Sequence, residues 1–346
     1  MRSLLKKIFK FNSNKFLSGN RFTELTNNKD IKKIFKIVSS YDDKSEIRFV
    51  GGCIRKILNN ENIDDIDLAT NINPSEVKKI LIDQNIKFVE TGLSHGTITV
   101  VIGDKNYEIT SLRKDVLTDG RHANVQFTKD WSQDASRRDF SINSIYSDID
   151  GNLFDPYDGR LDLKMGKINF IGNPDDRIKE DYLRILRYIR FFLNYSNIPH
   201  EERIKKIIKQ NINGVKNLSK ERLVDELRKI FKSKKLINLA KDPFILELIG
   251  LIFPELNNIN IFKNLNDDAI KLLPEKDYIF LISIALIDSS DNSDYFIFKY
   301  NIPNKAKNRI KFIKTYYGKI FEKNFFSEKN LNKIYYYNGF KYVQDL

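Results

Sequence analysis

The sequence predicts an α+β protein, in which a head of mixed strands and helices is followed by a long helical array. Between about residues 47 and 163, short β-rich runs alternate with turn signals such as Gly103-Asp104 and Asp150-Gly151. After Gly166 the apolar residues recur at three- and four-residue spacing and glycines become rare. The change of period near residue 166 therefore predicts where the sheet ends and the helices begin.

The elements follow from these patterns in chain order. A strand over 47–50 ends at Gly51-Gly52 and feeds a helix over 53–58. A second strand is predicted over 64–69, and a helix over 74–85 has Ser75 and Glu76 near its start. The remaining predicted elements are a hairpin over 95–103 and 106–112, strand segments over 140–148 and 152–155, and helices over 177–194, 201–211 and 220–232.

Four regions are predicted along the chain. Residues 1–23 form a basic extension without any acidic residue, and its apolar run is too broken for a secretory signal. A frayed extension and an amphipathic organelle presequence both remain open for it. We expect a head over 24–165, a helical neck over 166–240, and a helical body and tail over 241–346.

The composition excludes several classes of protein. The 346 residues include 25 Phe and 16 Tyr, which supply enough apolar material for packed cores. Cys53 is the single cysteine, so an internal disulfide and a cysteine-cluster zinc site are excluded. No run approaches the roughly 20 apolar residues of a membrane helix. We expect a soluble cytoplasmic protein that does not bind a membrane.

The positive charge is concentrated in the second half of the chain. The net charge is +13; residues 1–165 contain 26 basic and 24 acidic residues, whereas residues 166–346 contain 33 and 22. A compositional bias towards lysine should have affected both halves alike. The asymmetry therefore predicts that the helical half binds a polyanion such as nucleic acid.

Acidic residues follow the Gly51-Gly52 turn at a spacing that suggests a metal site. Alternation along a strand places Asp65 and Asp67 on one face. Two adjacent carboxylates repel each other unless a cation lies between them, which makes them natural Mg²⁺ ligands. A Gly-Gly turn before a helix allows backbone N–H groups to approach a phosphate. Glu108, on the strand after the hairpin turn, is a candidate third carboxylate, and an exposed strand residue without a role at the site is the alternative.

Two further clusters of charged residues are candidates for nucleotide contacts. The run 137–143 contains paired arginines, an aspartate and an asparagine, which together offer donors for phosphate and acceptors for a ribose hydroxyl. In the predicted helix 177–194, Asp181 and Arg184 lie three residues apart on one face, as do Arg184 and Arg187. Ordinary surface ion pairs are the alternative explanation for each cluster.

Together these segments resemble the class II tRNA nucleotidyltransferase and bacterial poly(A) polymerase family, which has a polymerase-beta-type nucleotidyltransferase head. The resemblance runs from about residue 49 to 192 and resumes over 218–231. Its segments are RFVGGCIRKIL (48–58), DDIDLAT (64–70), GLSHGTITVV (92–101), EITSLRKDVLTDGRHANVQFTKDW (108–131), DASRRDFSINSIY (134–146), DPYDGRLDL (155–163), RIKEDYLRILRYIRFF (177–192) and LSKERLVDELRKIF (218–231).

The resemblance implies a role for each matching position. It implies that Asp65 and Asp67 hold the metals, that Asp181 and Arg184 read the incoming base, and that the loop 119–122 helps the change from C to A addition. The implied contacts to phosphate and ribose come from Gly51, Gly52, Arg55, Arg113, Arg138, Asp139 and Asn143. The loop residues concerned are Asp119, Arg121 and His122. The family's glycine motif usually continues Arg-Asp, whereas here Arg55 is followed by Lys56.

The resemblance also implies the reaction: addition of C, C and A to the 3′ end of tRNA from CTP and ATP, with Mg²⁺ and release of pyrophosphate. The partners would be the 3′ end and acceptor arm of tRNA, and no protein partner is expected. Poly(A) synthesis and partial CC or A addition remain alternatives within the family. An inactive RNA-binding protein is disfavoured because both Asp65 and Asp67 are present. None of the three histidines, His95, His122 and His200, precedes an aspartate, which argues against an HD-type hydrolase site.

Overall fold

The structure, a computed structural model, describes residue 17 and residues 19–92, 95–118, 123–233 and 235–346. These residues form two compact units. The first runs to Asp181 and also contains Tyr195–Ile198, and the second contains Tyr182–Asn194 and Pro199–Leu346. Among the described helices, none is long and apolar enough to cross a membrane. Most of the basic extension predicted over 1–23 lies outside the described residues.

The first unit contains a seven-stranded mixed sheet and a separate two-stranded hairpin. The order of strands across the sheet is β3-β4-β5-β2-β1-β8-β9, and β6 pairs with β7. The strands are β1 (Ile47–Val50), β2 (Asp67–Thr70), β3 (Phe88–Gly92), β4 (Thr97–Ile102), β5 (Lys105–Ser111), β6 (Arg113–Thr118), β7 (Ala123–Phe127), β8 (Tyr146–Ser147) and β9 (Leu153–Phe154).

Among the described strands, one pair is parallel and the other pairs are antiparallel. Strands β2 and β5 run in the same direction, with Asp67 opposite Glu108 and Leu68 opposite Ile109. The β4–β5 hairpin predicted from the Gly103-Asp104 turn is confirmed, with Ile102 opposite Lys105. β-Branched residues dominate β4, as expected for a strand packed on a half-buried sheet. The parallel pair is what brings carboxylates from distant segments to one edge.

Helices cover the sheet and enclose its core. In the helix Lys29–Ser39, Ile31, Ile34 and Val38 have no exposed surface, because their three- and four-residue spacing places them on one face. The Asn28 side chain accepts from the Asp30 N–H at 2.8 Å and fixes the first turn. The helices of this unit are Asn20–Asn27, Lys29–Ser39, Gly52–Leu58, Pro74–Asp83, Trp131–Ser136, Gly159–Met165 and Pro174–Glu180.

The rest of the chain is helical, which confirms the predicted α+β class. A chain of polar contacts joins three segments of the second unit. The Tyr188 hydroxyl lies 2.9 Å from Nδ1 of His200, and a carboxylate oxygen of Asp242 lies 3.0 Å from Nε2 of the same histidine. The Phe192 ring stacks on this histidine at 3.5 Å. The helices are Leu183–Tyr195, Glu202–Asn211, Lys220–Phe231, Leu236–Lys241, Pro243–Ile252, Asp267–Leu272, Tyr278–Leu286, Asn292–Lys299, Asn304–Tyr317, Glu328–Asn338 and Phe340–Val343.

Some predicted elements differ in extent from those observed. The helix predicted over 177–194 is two helices, because Asp181 adopts an extended backbone with φ −156° and ψ 102°. Apolar residues continue at helical spacing on both sides of this break, so periodicity alone does not reveal it. The strand predicted over 140–148 is reduced to β8, and Ser141–Asn143 forms a 3₁₀ turn instead.

Candidate active site

Three acidic side chains meet at the start of the parallel strand pair. Asp67 is the first residue of β2, its partner in register is Glu108 on β5, and Asp65 precedes β2 by two residues. Burial raises the pKa of Asp67, and the neighbouring Asp65 raises it further, whereas Arg138 and Arg55 lower it. Burial also raises the pKa of Glu108, with added repulsion from Asp67 and Asp65. The shared repulsion joins the three carboxylates into one electrostatic site.

Asp65 and Asp67 do not lie together on one face of a strand, contrary to the prediction from the sequence pattern. The predicted strand over 64–69 begins only at Asp67, so Asp65 lies in the segment before it. Strand alternation therefore does not place the two carboxylates on a common face. Their proximity is shown instead by the effect of the Asp65 charge on the pKa of Asp67.

The donor set fits a hard divalent cation that is completed by substrate. Within the described ranges, no group of three or more His, Cys, Asp or Glu side chains is arranged to hold a metal ion alone. Mg²⁺ usually takes one or two carboxylates and completes its octahedron with water and substrate phosphates. The carboxylates of Asp65 and Asp67 supply that number of oxygen ligands, and a bound cation would relieve their repulsion.

The Gly51-Gly52 turn brings the backbone next to these carboxylates. Gly51 has φ +67° and ψ −114°, a conformation that side chains with a Cβ rarely adopt. A Cβ at Gly51 would lie 3.4 Å from Nη1 of Arg138, and one at Gly52 would lie 3.7 Å from a carboxylate oxygen of Asp67. The turn, Arg138 and Asp67 are therefore immediate neighbours, as a phosphate-binding site requires.

Arg138 is held by two buried partners that sequence reasoning missed. Its Nη2 lies 3.1 Å from Asp134, and its Nε donates to the Tyr146 hydroxyl at 2.9 Å. Tyr146 in turn donates to Asp134 at 2.7 Å. Burial alone would raise the pKa of Asp134, but the guanidinium groups of Arg138 and Arg137 lower it. The i, i+4 spacing of Asp134 and Arg138 was the available signal for the first partner.

A second set of buried hydrogen bonds joins Asp139 and Asn143, which are expected at the ribose, to Arg55, which is expected near a phosphate. Arg55 donates to the Asn143 side-chain oxygen. Asn143 donates to Asp139 at 2.8 Å, and the Phe140 N–H donates to the same carboxylate oxygen at 2.9 Å. Arg55, Asp139 and Asn143 are all buried. The 3₁₀ turn that replaced the predicted strand is what allows the Asn143 side chain to reach back to Asp139.

Arg113 lies at the start of the β6–β7 hairpin and close to the same cluster. The Arg113 side chain donates through Nη1 to the His95 carbonyl, and the main-chain N–H of Arg113 donates to Oδ1 of Asp134 at 3.3 Å. Burial, together with the nearby Arg137, lowers the pKa of Arg113 to about 10. Asp134 therefore links Arg113 to Arg138. The predicted loop residues Asp119, Arg121 and His122 lie outside the described residues.

Lys56 and Arg177 add two contacts that had no assigned role. Lys56, at the position where the family motif usually has aspartate, pairs with Asp64 at 2.6 Å. It also lowers the pKa of Asp67 as one of the weaker contributions. Arg177 donates to the main-chain carbonyl of Arg138 at 2.9 Å, which ties its helix to the arginine motif.

The residues predicted to read the base lie on either side of the helix break. Asp181 ends the first unit as an extended residue, and Arg184 and Arg187 lie in the helix Leu183–Tyr195 of the second. The prediction that Asp181 and Arg184 share one helix face is therefore wrong. Arg184 is buried, with 9% of its surface exposed. Arg190, one turn beyond Arg187, pairs with the buried Glu226.

Two protein-family models match the chain. Residues 47–169 match the Poly A polymerase head domain, and residues 200–259 match the probable RNA and SrmB- binding site of polymerase A. The head of this chain belongs to the family of tRNA nucleotidyltransferases and poly(A) polymerases. The family resemblance predicted from the motifs is confirmed, and this family generally uses divalent metal ions.

Curated relatives of this chain come from both animals and bacteria. The chain is 43% identical over 215 residues to human CCA tRNA nucleotidyltransferase 1, mitochondrial, which covers 60% of this chain and 50% of that protein. It is 34% identical over 264 residues to the CCA-adding enzyme of Staphylococcus haemolyticus, which covers 76% and 63%. The chain thus spans about half to two thirds of the length of these relatives.

Solved structures share the fold. The Bacillus stearothermophilus CCA-adding enzyme in complex with CTP matches with a TM-score of 0.66 at 24% identity, over 91% of this chain and 75% of that chain. The Thermotoga maritima CCA-adding enzyme complexed with tRNA_CCA matches with a TM-score of 0.62 at 21% identity, over 93% and 78%. The head of mixed sheet and the helical remainder are therefore the architecture of CCA-adding enzymes.

Proposed function

We propose that this family member adds C, C and A to the 3′ end of tRNA from CTP and ATP by metal-dependent nucleotidyl transfer. The observation that carries the proposal is the meeting of Asp65, Asp67 and Glu108 beside the Gly51-Gly52 turn and Arg138. Such a site combines acidic ligands for cations with donors for a triphosphate. The names of the human and staphylococcal relatives support tRNA as substrate.

The residues of this chain divide the work between metal, phosphate and sugar. Asp65 and Asp67 would hold Mg²⁺, which when bound activates the attacking 3′ hydroxyl and stabilises the leaving pyrophosphate. Glu108 keeps the local charge negative. Gly51, Gly52, Arg55, Arg113 and Arg138 bind and orient the triphosphate, and Asp139 and Asn143 accept and donate hydrogen bonds at the ribose.

The incoming base is selected by protein side chains in this proposal. A carboxylate at Asp181 accepts from the exocyclic amine of C or A, and Arg184 donates to their ring acceptors. U and G present a carbonyl and a ring N–H instead. Their carbonyl would face the Asp181 carboxylate, acceptor against acceptor, and their ring N–H would face the Arg184 guanidinium, donor against donor. Arg187 belongs to the same arginine-bearing helix segment. The extended backbone of Asp181 supports this role, since its carboxylate is not confined to a helix surface.

The functional regions and location are part of the same proposal. We assign catalysis to 24–165, base recognition to 166–240 and tRNA binding to 241–346. The match of residues 200–259 to a probable RNA-binding region supports RNA contacts in the helical half. We propose a cytoplasmic location, although the human and mouse relatives are named mitochondrial.

Sequencing of reaction products tests the proposed activity. The full chain is incubated with Mg²⁺, ATP, CTP and a tRNA transcript that lacks its last three nucleotides, and the 3′ ends are sequenced. We expect ends in CCA, with CC when ATP is omitted. Long A tails would assign the chain to poly(A) synthesis, and ends in CC with both nucleotides present would identify partial addition. An Asp67→Asn variant serves as the control for contaminating activity.

A further inference from the structure

The end of the second unit presents a surface that is both aromatic and basic. Residues 304–346 contain 11 aromatic residues, 10 basic residues and three acidic ones. Two neighbouring rings on the helix Glu328–Asn338 stand in solvent, with Tyr336 82% and Tyr337 71% exposed. Exposed apolar rings cost solubility, and a cluster of them usually marks a binding surface.

Beside these rings lies a groove of about 390 Å³, which we call the tyrosine groove. Its volume falls within the range of about 300–1,000 Å³ typical of small-molecule sites. Aromatic rings pack beneath the surface of the groove. The Tyr316 ring centroid lies 4.6 Å from that of Phe312 and 5.9 Å from that of Phe325, and both phenylalanines are buried. Residues that line the tyrosine groove include Tyr316, Lys319, Glu322, Phe325, Lys333 and Tyr337.

The chemistry of the tyrosine groove matches single-stranded nucleic acid. Tyr337 meets Tyr336 edge-on, with centroids 5.1 Å apart and an interplanar angle of 88°, so their ring faces point in different directions. Exposed ring faces stack on bases, and lysines beside them attract the phosphates that connect those bases. Lys319 and Lys333 are both exposed at the groove.

One acidic group refines the type of contact. Glu322 lines the tyrosine groove and repels a phosphate, but its carboxylate accepts hydrogen bonds from the amino groups of bases. A nucleotide whose base lies in the groove and whose phosphate lies beside the lysines can satisfy both kinds of group. Its amino group donates to Glu322, and its phosphate pairs with Lys319 or Lys333. A duplex offers no such contact, because its bases are already stacked and paired.

We propose that the tyrosine groove binds unpaired nucleotides of the RNA substrate by stacking and charge attraction. The proposal rests on the proposed function for its choice of RNA as the ligand. The excess of seven positive charges over 304–346 supports a polyanion, and the exposed rings support one whose bases are free.

Binding experiments on the full chain separate stacking from charge attraction. The probes are a fluorescein-labelled single-stranded RNA and a blunt-ended RNA duplex with the same number of phosphates. Tyr336→Ser combined with Tyr337→Ser should weaken single-strand binding by about tenfold or more, by the same factor at every salt concentration. Lys319→Ser combined with Lys333→Ser should reduce the logarithmic salt slope by about 0.7 for each lysine. Duplex binding should change little in the tyrosine variant.

Phe298→Ser is the matched control, since Phe298 is 82% exposed on another helix and does not line the groove. It should bind both RNAs as the wild type does. Wild-type single-strand affinity in the double tyrosine variant would overturn the proposal, as would an equal loss in the Phe298 variant. Loss of self-association or of binding to anionic vesicles, with RNA affinity unchanged, would also overturn it.

Nucleotide addition distinguishes failure of this proposal from failure of the proposed function. At saturating RNA, the double tyrosine variant should keep the wild-type rate of CTP and ATP addition, with a raised KM for RNA only. If the wild type bound single strands through the groove yet added no nucleotide to any RNA, the proposed function would fail and the binding surface would stand.

Discussion

Asp67 occupies the most constrained position among the acidic residues of the site. It begins a strand whose next residue, Leu68, has no exposed surface, and it faces Glu108 across a parallel pair. The strand pairing holds its backbone in place while burial and the charge of Asp65 raise the pKa of its carboxylate. The cost of holding these charges together is the physical reason for expecting a cation between them.

At the residue scale, we predict that Asp67→Asn and Asp65→Asn each reduce nucleotide addition on the order of 10²-fold or more, since a charge that stabilises the transition state is lost. In the wild type, Mg²⁺ without nucleotide should raise the melting temperature, and in both variants this increase should shrink. Asp64→Asn is the control, because Asp64 is exposed and pairs with Lys56. Near-normal turnover with Mg²⁺ in either variant would refute the metal-site assignment.

Glu108 gives a prediction about stability and pH. Its pKa in the folded protein lies above the ordinary value of 4.5, so the folded state holds the proton more tightly than the unfolded state. The ionised carboxylate therefore lowers the free energy of unfolding at pH values above 4.5. Well below pH 4.5 the carboxylate is protonated in both states and has no such effect. Glu108→Gln should raise the melting temperature at neutral pH, and the difference should disappear on acidification to below about pH 4.5.

Thermal unfolding measured across this pH range checks the prediction for Glu108. Glu90→Gln is a suitable comparison, because Glu90 lies on the outer strand β3 and pairs with Lys78 at 2.6 Å. That variant should not gain stability at neutral pH. A lower melting temperature for Glu108→Gln at neutral pH would show that Glu108 makes a stabilising contact instead.

At the scale of elements, the break between the helices Pro174–Glu180 and Leu183–Tyr195 is the feature with most consequence for the chemistry. Arg177 ties the first of these helices to the backbone of the arginine motif at Arg138. The second helix carries Arg184 and Arg187, and is fastened within its own unit through Arg190 and Glu226. Asp181, between them, ends the first helix with an extended backbone, and its N–H still donates to the Ile178 carbonyl of that helix.

We predict that Arg184→Ala and Asp181→Ala weaken the preference for CTP and ATP over UTP and GTP. A bidentate contact to a base discriminates by about 1–3 kcal/mol, so the preference should fall about tenfold to a hundredfold. Single-nucleotide incorporation assays with all four nucleotides measure the effect. Arg203→Ala, an exposed arginine on another helix, is the control. Unaltered preference in both variants would leave Asp181 and Arg184 as structural residues.

Residues 119–122, which follow β6 and precede β7 in the sequence, give a second prediction at this scale. If the loop helps the pocket adapt from C to A, Arg121→Ala should leave CC addition near normal and reduce the final A addition. Product sequencing after short incubations shows this as tRNA ending in CC. An equal decrease of C and A addition would indicate a general role in folding or substrate binding.

At the scale of the whole molecule, the charge difference between the halves predicts how RNA affinity responds to salt. Residues 166–346 carry a net charge of +11, and each phosphate they neutralise should contribute to the logarithmic salt slope by roughly −0.7 to −0.9, the values for single strands and for B-DNA. Binding of tRNA by the full chain should therefore weaken steeply as salt rises. Equilibrium titrations at several salt concentrations measure the slope, and salt-independent binding would contradict the prediction.

Lysine substitutions locate the source of that slope. Exchange of exposed lysines such as Lys206 and Lys241 for glutamine should reduce the slope, because both lie in the basic half. The matched substitutions Lys87→Gln and Lys105→Gln remove exposed charges from the first unit and should leave the slope unchanged. The reverse pattern would assign tRNA binding to the head.

Much of the site could be named from the sequence because its motifs are local. Gly51-Gly52, Asp65, Asp67 and the arginine motif at 137–143 are each recognisable within a few residues, and the change of hydrophobic period predicted the α+β class. Contacts between distant segments were less accessible. The Tyr146 hydroxyl that supports Arg138 belongs to a short strand, and nothing in the surrounding residues marks it as a partner.

The sequence by itself determined the chemical groups of this protein: paired carboxylates, arginines beside a glycine turn, and a basic helical half. Only the tertiary structure decided which of these groups meet. The parallel register of β2 and β5 places Glu108 opposite Asp67, and the extended Asp181 separates two helices that share one hydrophobic period. Both depend on the pairing and packing of residues that are far apart in the chain. A local sequence pattern does not show which distant residues will pack together.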